Sequence, residues 1–217
     1  SKLIKDKNFI GGKEVENFQE NFSKFNESKY CVGVANGTDA LEIALESLDI
    51  PKNSEVIVPN FTFLSPAEAV VRGGYKLVLA DINLDDFTVS IESLKKLVTK
   101  KTSALIVVHL FGNPCDMTEI RKITDKYGIK IIEDCSQAHG AKFNGKIVGN
   151  FGDIGTFSFY PTKNLGAFGD SGAIVTNKKS LYEKVQKIAN HGRVATYDHV
   201  LPGRNSRLDS IQASVLN

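Results

Sequence analysis

Apolar positions along this chain alternate between short, near-continuous runs and stretches where they recur every third or fourth residue. Over Lys13–Phe25, KEVENFQENFSKF, Val15, Phe18, Phe22 and Phe25 are spaced by threes and fours, which predicts an amphipathic helix with one buried face. Turn residues follow at 26–28, and YCVGVA then reads as a strand leading through NGT into the helix-forming ALEIALESL. Residues 51–54 break the chain before a second strand, EVIVP, whose aromatic loop FTF opens a helix over Ser65–Arg72. KLVLADI, SALIVVHLF and IKIIED read as further strands, separated by helices near residues 91–98 and over Met117–Tyr127. Two more β-type runs, 155–159 and 173–176, flank a stretch rich in glycine and small residues.

Near-continuous apolar strands separated by helices are what a mainly parallel sheet covered on both faces requires, so the fold class is α/β. No Pro/Gly/Ser-rich linker divides the 217 residues, and one large domain is expected. In such sheets ligands gather beyond the carboxyl ends of the strands, where NGTD, FTF, DCSQ and SFYPTK fall.

Composition narrows the partners. With 24% charged residues and a net charge of +2, the chain gives no reason to invoke nucleic acid. No apolar run is long enough to span a bilayer, and the opening SKLIKDKNF lacks the hydrophobic segment of a secretory signal. Cys31, Cys115 and Cys135 are odd in number, with no CxxC, which disfavours a disulfide framework or zinc site and fits a reducing, cytoplasmic setting. His109, His139, His191 and His199 show no metal-ligand spacing, so no metal is expected. The sequons at Asn26, Asn36 and Asn60 are read as structural.

Five positions carry the core of the candidate chemistry. Lys163 lies in SFYPTKNLGAFG, a setting of aromatic and small residues that suits a buried Schiff-base lysine; the competing reading is an ordinary surface charge. Asp134 ends a strand, where a carboxylate can keep a pyridine nitrogen protonated; alternatively it caps a turn. Strand alternation sends Glu133 to the opposite face. Gly37, Thr38 and Asp39 open a helix whose first amides can bind a phosphate, the competing reading being a cap by Thr38 or Asp39.

Ser158 is placed to donate to that phosphate, Gln137 to a phenolic oxygen or substrate, and Phe63 to stack on a ring, against local bonding, solvent exposure and core packing respectively. A reactive lysine, an acid and a phosphate-binding helix start together fit pyridoxal 5'-phosphate. Two decoys are set aside. GAKFNGK at 140–146 mimics a P-loop but is followed by Ile147 where Ser or Thr is required, and Gly166, Gly169 and Gly172 are not spaced as a dinucleotide fingerprint.

NGTDAL, PNFTFLSP, EDCSQAHGA, GDIGTFSFYPTKNLGAFGDSGAI and GRNSRLDSIQA, in this order, resemble the DegT/DnrJ/EryC1/StrS family of sugar aminotransferases. The resemblance implies a three-layer αβα sandwich with a mixed, mainly parallel sheet, like the large domain of aspartate aminotransferase. It implies that residues 1–217 are the pyridoxal phosphate-binding large domain, with the family's small C-terminal domain absent. It makes Lys163 the cofactor-bonded lysine, Asp134 the partner of the pyridine nitrogen and Gln137 a contact to the ring hydroxyl. Gly37, Thr38, Asp39 and Ser158 hold the phosphate, and Phe63 covers the ring. Asn205 is the residue lent to the neighbouring subunit's phosphate, which implies a homodimer with shared sites.

The implied reaction transfers an amino group from glutamate to a nucleotide-linked keto-deoxysugar. HGRVATYDHVLPGRNSRLD is more similar to the branch acting on dTDP-linked 3-keto-6-deoxyhexoses than to the one acting at C4. The alternatives are a 4-keto aminotransferase and a non-catalytic sugar-binding or regulatory member. Arg193, Tyr197, His199 and Arg204 are the candidate contacts to sugar or diphosphate, the competing reading being a mobile surface loop. Ser171 departs from the glycine that many relatives carry.

Overall fold

The computed structural model describes residues 9–217; the charged opening at 1–8 lies outside them. Its first long element is α1 (Lys13–Phe25), whose Phe18 and Phe22 are buried as the spacing predicts, while Phe25 stays half exposed. Phe22 meets Phe157 and Phe159 edge to face, at 5.0 and 5.1 Å between ring centroids, fastening α1 to the sheet.

Then follow β1 (Tyr30–Val34), α2 (Gly37–Ser47), β2 (Glu55–Pro59), α3 (Ser65–Arg72), β3 (Lys76–Ala80), α4 (Ile91–Leu97), β4 (Thr102–Val108), α5 (Met117–Tyr127) and β5 (Lys130–Asp134). After β5 come β6 (Lys142–Phe143), β7 (Lys146–Ile147), β8 (Ile154–Ser158), β9 (Gly172–Thr176), α6 (Lys179–Ala189), β10 (Arg193–Ala195), β11 (Asp198–His199) and α7 (Ser210–Leu216).

Seven strands form one sheet in the order β1-β9-β8-β5-β4-β2-β3. Neighbours from β8 to β3 pair in parallel, and β9 runs against both β1 and β8, so the sheet is mixed and mainly parallel as expected. Period-two alternation divides the core. Val56, Val58, Ile106, Ile132 and Ile154 pack with α2, α3 and α6 on one face, while Ile57, Leu105, Val107 and Ile131 pack with α4 and α5 on the other. Both faces are therefore covered, which explains strands with no polar stripe.

The P-loop mimic folds as the β6/β7 hairpin. Its turn residues Asn144 and Gly145 have φ of 48° and 80°, a left-handed pair that suits Asn-Gly. Among the described residues no helix is long and apolar enough to cross a membrane, and the three cysteines are buried and unpaired.

Candidate active site

The site is built where β1, β4, β5 and β8 end. At the start of α2 the cap is Asn36, whose side chain accepts the amide proton of Asp39 at 2.8 Å. The cap expected at Thr38 or Asp39 thus falls two or three residues earlier, because an extended Asn36 precedes the first helical residue. Asp39's amide is thereby engaged, and Gly37 and Thr38 supply the first-turn donors that remain. Thr38 Oγ1 shares a 2.6 Å hydrogen bond with Ser65 Oγ, at the start of α3. Gly37 is required by space: a Cβ there would lie 2.7 Å from Ser158 Cβ.

Asp134 ends β5 on the α2 face and is only 6% exposed. Its Oδ1 accepts the Ser136 amide at 3.0 Å. Burial raises its carboxyl above the usual aspartate range, against weaker lowering by Ser136 and by the charges of Lys163 and His109.

Glu133, its neighbour, faces the other side of the sheet and is fully buried. Its carboxylate collects the amides of Gly149, Phe151 and Gly152 at 2.8, 2.7 and 2.6 Å, and meets His109 Nε2 at 3.0 Å. Burial opposes the charge, but His109 and the Gly152 and Gly149 amides outweigh it and hold Glu133 below the ordinary glutamate range. Burial likewise pushes the His109 imidazole down, and Cys115 and Glu133 push it up by more. His109 Nδ1 accepts the Cys115 amide proton at 3.1 Å, which puts the resident proton on Nε2, facing Glu133. His109, Glu133 and Cys135 lie close enough together to suggest a metal cluster, but the imidazole nitrogens and the carboxylate are already committed to protein partners.

β8 carries Ser158 to its end, and the chain turns through Tyr160 so that the Lys163 amide donates to the Tyr160 carbonyl at 2.8 Å. Lys163 lines one cavity of about 790 Å3 with Asp134, Gly37, Thr38, Asp39, Phe63, Gln137 and Ser158. Its amine joins no ion pair among the described residues. Gln137 Oε1 accepts the Phe111 amide at 2.7 Å, which turns its Nε2 into the free donor. Phe63 is 72% exposed at the mouth, so it is a wall of the cavity and not a core residue.

Ser65 and Asn36, which the sequence reading did not single out, also line the cavity. The signal for Ser65 was its place at a helix start in PNFTFLSP. For Asn36 it was the preference of asparagine for helix caps.

The structure does not bring the remaining candidates to this cavity. Arg204 Nη2 bonds Glu46 at 2.8 Å and Nη1 bonds Glu42, so its guanidinium is engaged within the chain. Asn205 pairs with Asn190 and lines a neighbouring polar hollow with Asp39, Glu42, Arg72 and Arg204. Arg193 and His199 pair across the β10/β11 hairpin, with His199 Nδ1 donating to the His191 carbonyl at 2.8 Å, and Tyr197 is 94% exposed at its turn. Residues 193–199 of this stretch thus fold as a two-stranded hairpin.

The donor set can be tested against pyridoxal 5'-phosphate. A buried carboxylate with a single amide partner suits a protonated ring nitrogen, an unpaired amine suits an aldehyde, and helix-start amides with three nearby hydroxyls suit a phosphate. The residues present fit the group.

A sequence profile described as the DegT/DnrJ/EryC1/StrS aminotransferase family matches residues 1–217. A UDP-N-acetyl-3-dehydro-alpha-D-glucosamine 3-aminotransferase of Acidithiobacillus ferrooxidans is 44% identical over 215 residues, covering 99% of this chain and 58% of the relative. The crystal structure of S. venezuelae DesV in complex with a ketimine intermediate superposes with a TM-score of 0.96 at 40% identity, covering 99% of this chain and 58% of that one. NtdA from Bacillus subtilis, solved with bound cofactor PMP, gives a TM-score of 0.93 at 32% identity, over 99% of this chain and 49% of that one. The chain thus spans a little over half the length of the curated relative.

Proposed function

Because the chain belongs to the DegT/DnrJ/EryC1/StrS aminotransferase family, we propose that residues 1–217 are the cofactor-binding large domain of a pyridoxal phosphate-dependent transaminase, which moves an amino group from glutamate to a keto group on a nucleotide-linked deoxysugar. The observation that carries this reading is the single cavity in which Asp134 and the unpaired amine of Lys163 lie below a helix start.

When bound, pyridoxal phosphate supplies an electron sink beside the carbon that exchanges its proton. Asp134 would hold the ring nitrogen in its protonated form; with no partner there, burial raises its carboxyl above the usual aspartate range. The amides of Gly37 and Thr38, with the hydroxyls of Thr38, Ser65 and Ser158, hold the phosphate. Asp39 contributes to this end of the cavity through its side chain, since its amide is engaged. Gln137 Nε2 donates to the ring hydroxyl, and Phe63 covers one ring face and excludes water. Lys163 Nζ would hold the cofactor through its aldehyde and, when free, would be the amine that takes the proton from the substrate carbon and gives it up again on the far side of the transferred nitrogen, ending as it began.

The active unit in this reading is a homodimer in the cytoplasm. Asn205 lies outside this chain's own cavity, which leaves it available to a second copy, and three unpaired cysteines suit a reducing compartment. Amination at C3 is favoured because the Acidithiobacillus relative is named for that carbon. The test is to incubate the full-length protein with glutamate and a panel of dTDP- and UDP-linked 3-keto and 4-keto sugars, locating any new amine by mass spectrometry and NMR. An amine at C3 is expected; amination only at C4, or none with any sugar, would remove the proposal in part or whole.

A further inference from the structure

We propose that Glu133 is the positioning residue of this site: its buried carboxylate, steadied by His109, fixes the strand that leads to Lys163 against the strand that ends in Asp134. The inference rests on the reading that Asp134 and Lys163 hold one cofactor between them.

Three observations converge on it. First, the ladder between the two strands is short: it covers Ile132↔Ile154, Glu133↔Gly155 and Asp134↔Thr156, with the Asp153 amide on the Ile131 carbonyl and the Cys135 amide on the Thr156 carbonyl at its ends. Second, the segment entering β8 is gathered by a single side chain. Glu133 Oε1 takes the amides of Phe151 and Gly152 and Oε2 takes that of Gly149, binding this segment to β5 just before the paired residues. Nearby, Asp153 Oδ2 accepts the Ile131 amide at 2.9 Å, and its Oδ1 accepts from Lys178 Nζ at 2.5 Å, extending the same fastening.

Third, the fourth donor comes from β4. His109 follows that strand, its amide donates to the Asp134 carbonyl at 3.1 Å, and its Nε2 faces Glu133 at 3.0 Å. His109 therefore holds the backbone of one acid with its own amide and the carboxylate of the neighbouring acid with its imidazole. Its other nitrogen is held by the Cys115 amide, which fixes the tautomer that donates to Glu133.

A carboxylate is needed here because all four partners are donors. An amide in its place would turn an NH2 group toward at least one N–H, leaving buried donors unmatched. The segment packs closely on its neighbours: a Cβ on Gly152 would lie 2.7 Å from the Ile131 carbonyl oxygen, and one on Gly155 2.7 Å from Gly149 Cα. A loosened 149–152 segment would shift β8, and with it Ser158 and Lys163, relative to Asp134. Glu133 touches neither cavity nor cofactor and acts only through these residues.

The experiment compares Glu133→Gln with wild type in the full-length protein, by amide hydrogen exchange of the cofactor-free form, by pyridoxal phosphate titration, and by the pH dependence of the bound cofactor's visible absorbance. Expected are faster exchange at Gly149, Phe151 and Gly152, cofactor affinity lower by about tenfold or more, as for loss of an outer-shell partner, and a shifted absorbance midpoint. Should this variant fail to fold, His109→Gln carries the test. It keeps the carboxylate but removes the fixed donor, and should speed the same amides and weaken the cofactor by about threefold, an intermediate loss for one donor of several.

The proposal is overturned if Glu133→Gln melts lower yet keeps affinity and absorbance midpoint, since that is a purely structural role. It is also overturned if affinity falls with 149–152 exchange unchanged. Failure of wild type to bind the cofactor would defeat the functional reading instead, while the exchange measurement would still decide whether Glu133 holds the segment.

Discussion

Asp134 and Glu133 are consecutive acids on one strand, and the sheet separates their fates. Glu133, facing α4 and α5, is matched by four donors, whereas Asp134, facing α2 and the cavity, is met among the described residues by Ser136, through its amide at 3.0 Å. One acid is complete within the fold; the other is left for a ligand.

Removing the incomplete charge should stabilise the empty protein. Asp134→Asn keeps Oδ1 for the Ser136 amide and deletes a buried charge. The folded-state pKa of Asp134 lies above its unfolded value, so the contribution of its protonated form is fully present below the unfolded pKa and is lost as pH rises through the folded one. Urea unfolding of the cofactor-free proteins should therefore show the variant gaining about 1–2 kcal/mol near neutrality, with the gap closing toward acid. Its affinity for pyridoxal phosphate should collapse. Equal stability at every pH would contradict this reading.

Glu133 predicts the reverse. Its folded-state pKa is lowered, so its stabilisation is present above the unfolded pKa and is lost as pH falls through the folded one. Glu133→Gln should cost about 3 kcal/mol at neutral pH, measured by the same urea unfolding, and the cost should shrink in acid.

Gly37→Ala should separate fold from binding. The added methyl group would sit 2.7 Å from Ser158 Cβ, and the helix start and strand end must part to admit it. Circular dichroism is expected to stay native, while phosphate-dependent cofactor binding weakens by about tenfold or more. Unchanged binding would show that this contact does not shape the phosphate end.

Arg204→Ala tests the contact of Arg204 with α2. Glu42, half of a pair with Arg72 at 2.7 Å, also bonds Arg204, whose second arm reaches Glu46. Loss of the forked guanidinium should cost about 1–2 kcal/mol in thermal or urea unfolding, and Arg204→Lys should recover only part of it. If stability holds but sugar-nucleotide affinity falls, Arg204 contacts substrate and is not an internal anchor.

The sheet was legible where burial on both faces left unbroken apolar runs, as in EVIVP and IKIIED, and the helices expected near 65–72 and 117–127 are found there. Asp134 and Lys163 stood out because charged residues rarely sit among strand ends and small residues. What escaped was set by pairing at a distance. The reversed direction of β9 follows from its registry with β1 and β8, which no local pattern records. GAKFNGK, set aside on Ile147, mimics a phosphate loop because a left-handed Asn-Gly turn and a P-loop both use glycine. Arg204 looked available to substrate because its partners Glu42 and Glu46 lie 162 and 158 residues away in sequence. Helix α6 was overlooked although Leu181, Val185 and Ile188 have helical spacing.

The most direct measurement is borohydride reduction of the full-length protein loaded with pyridoxal phosphate, followed by peptide mass spectrometry, alongside the visible absorbance of wild type and Lys163→Ala. The account predicts the cofactor fixed on Lys163, with the visible band lost in the variant while its circular dichroism remains native. Label on another lysine, or an unaltered spectrum in Lys163→Ala, would contradict it.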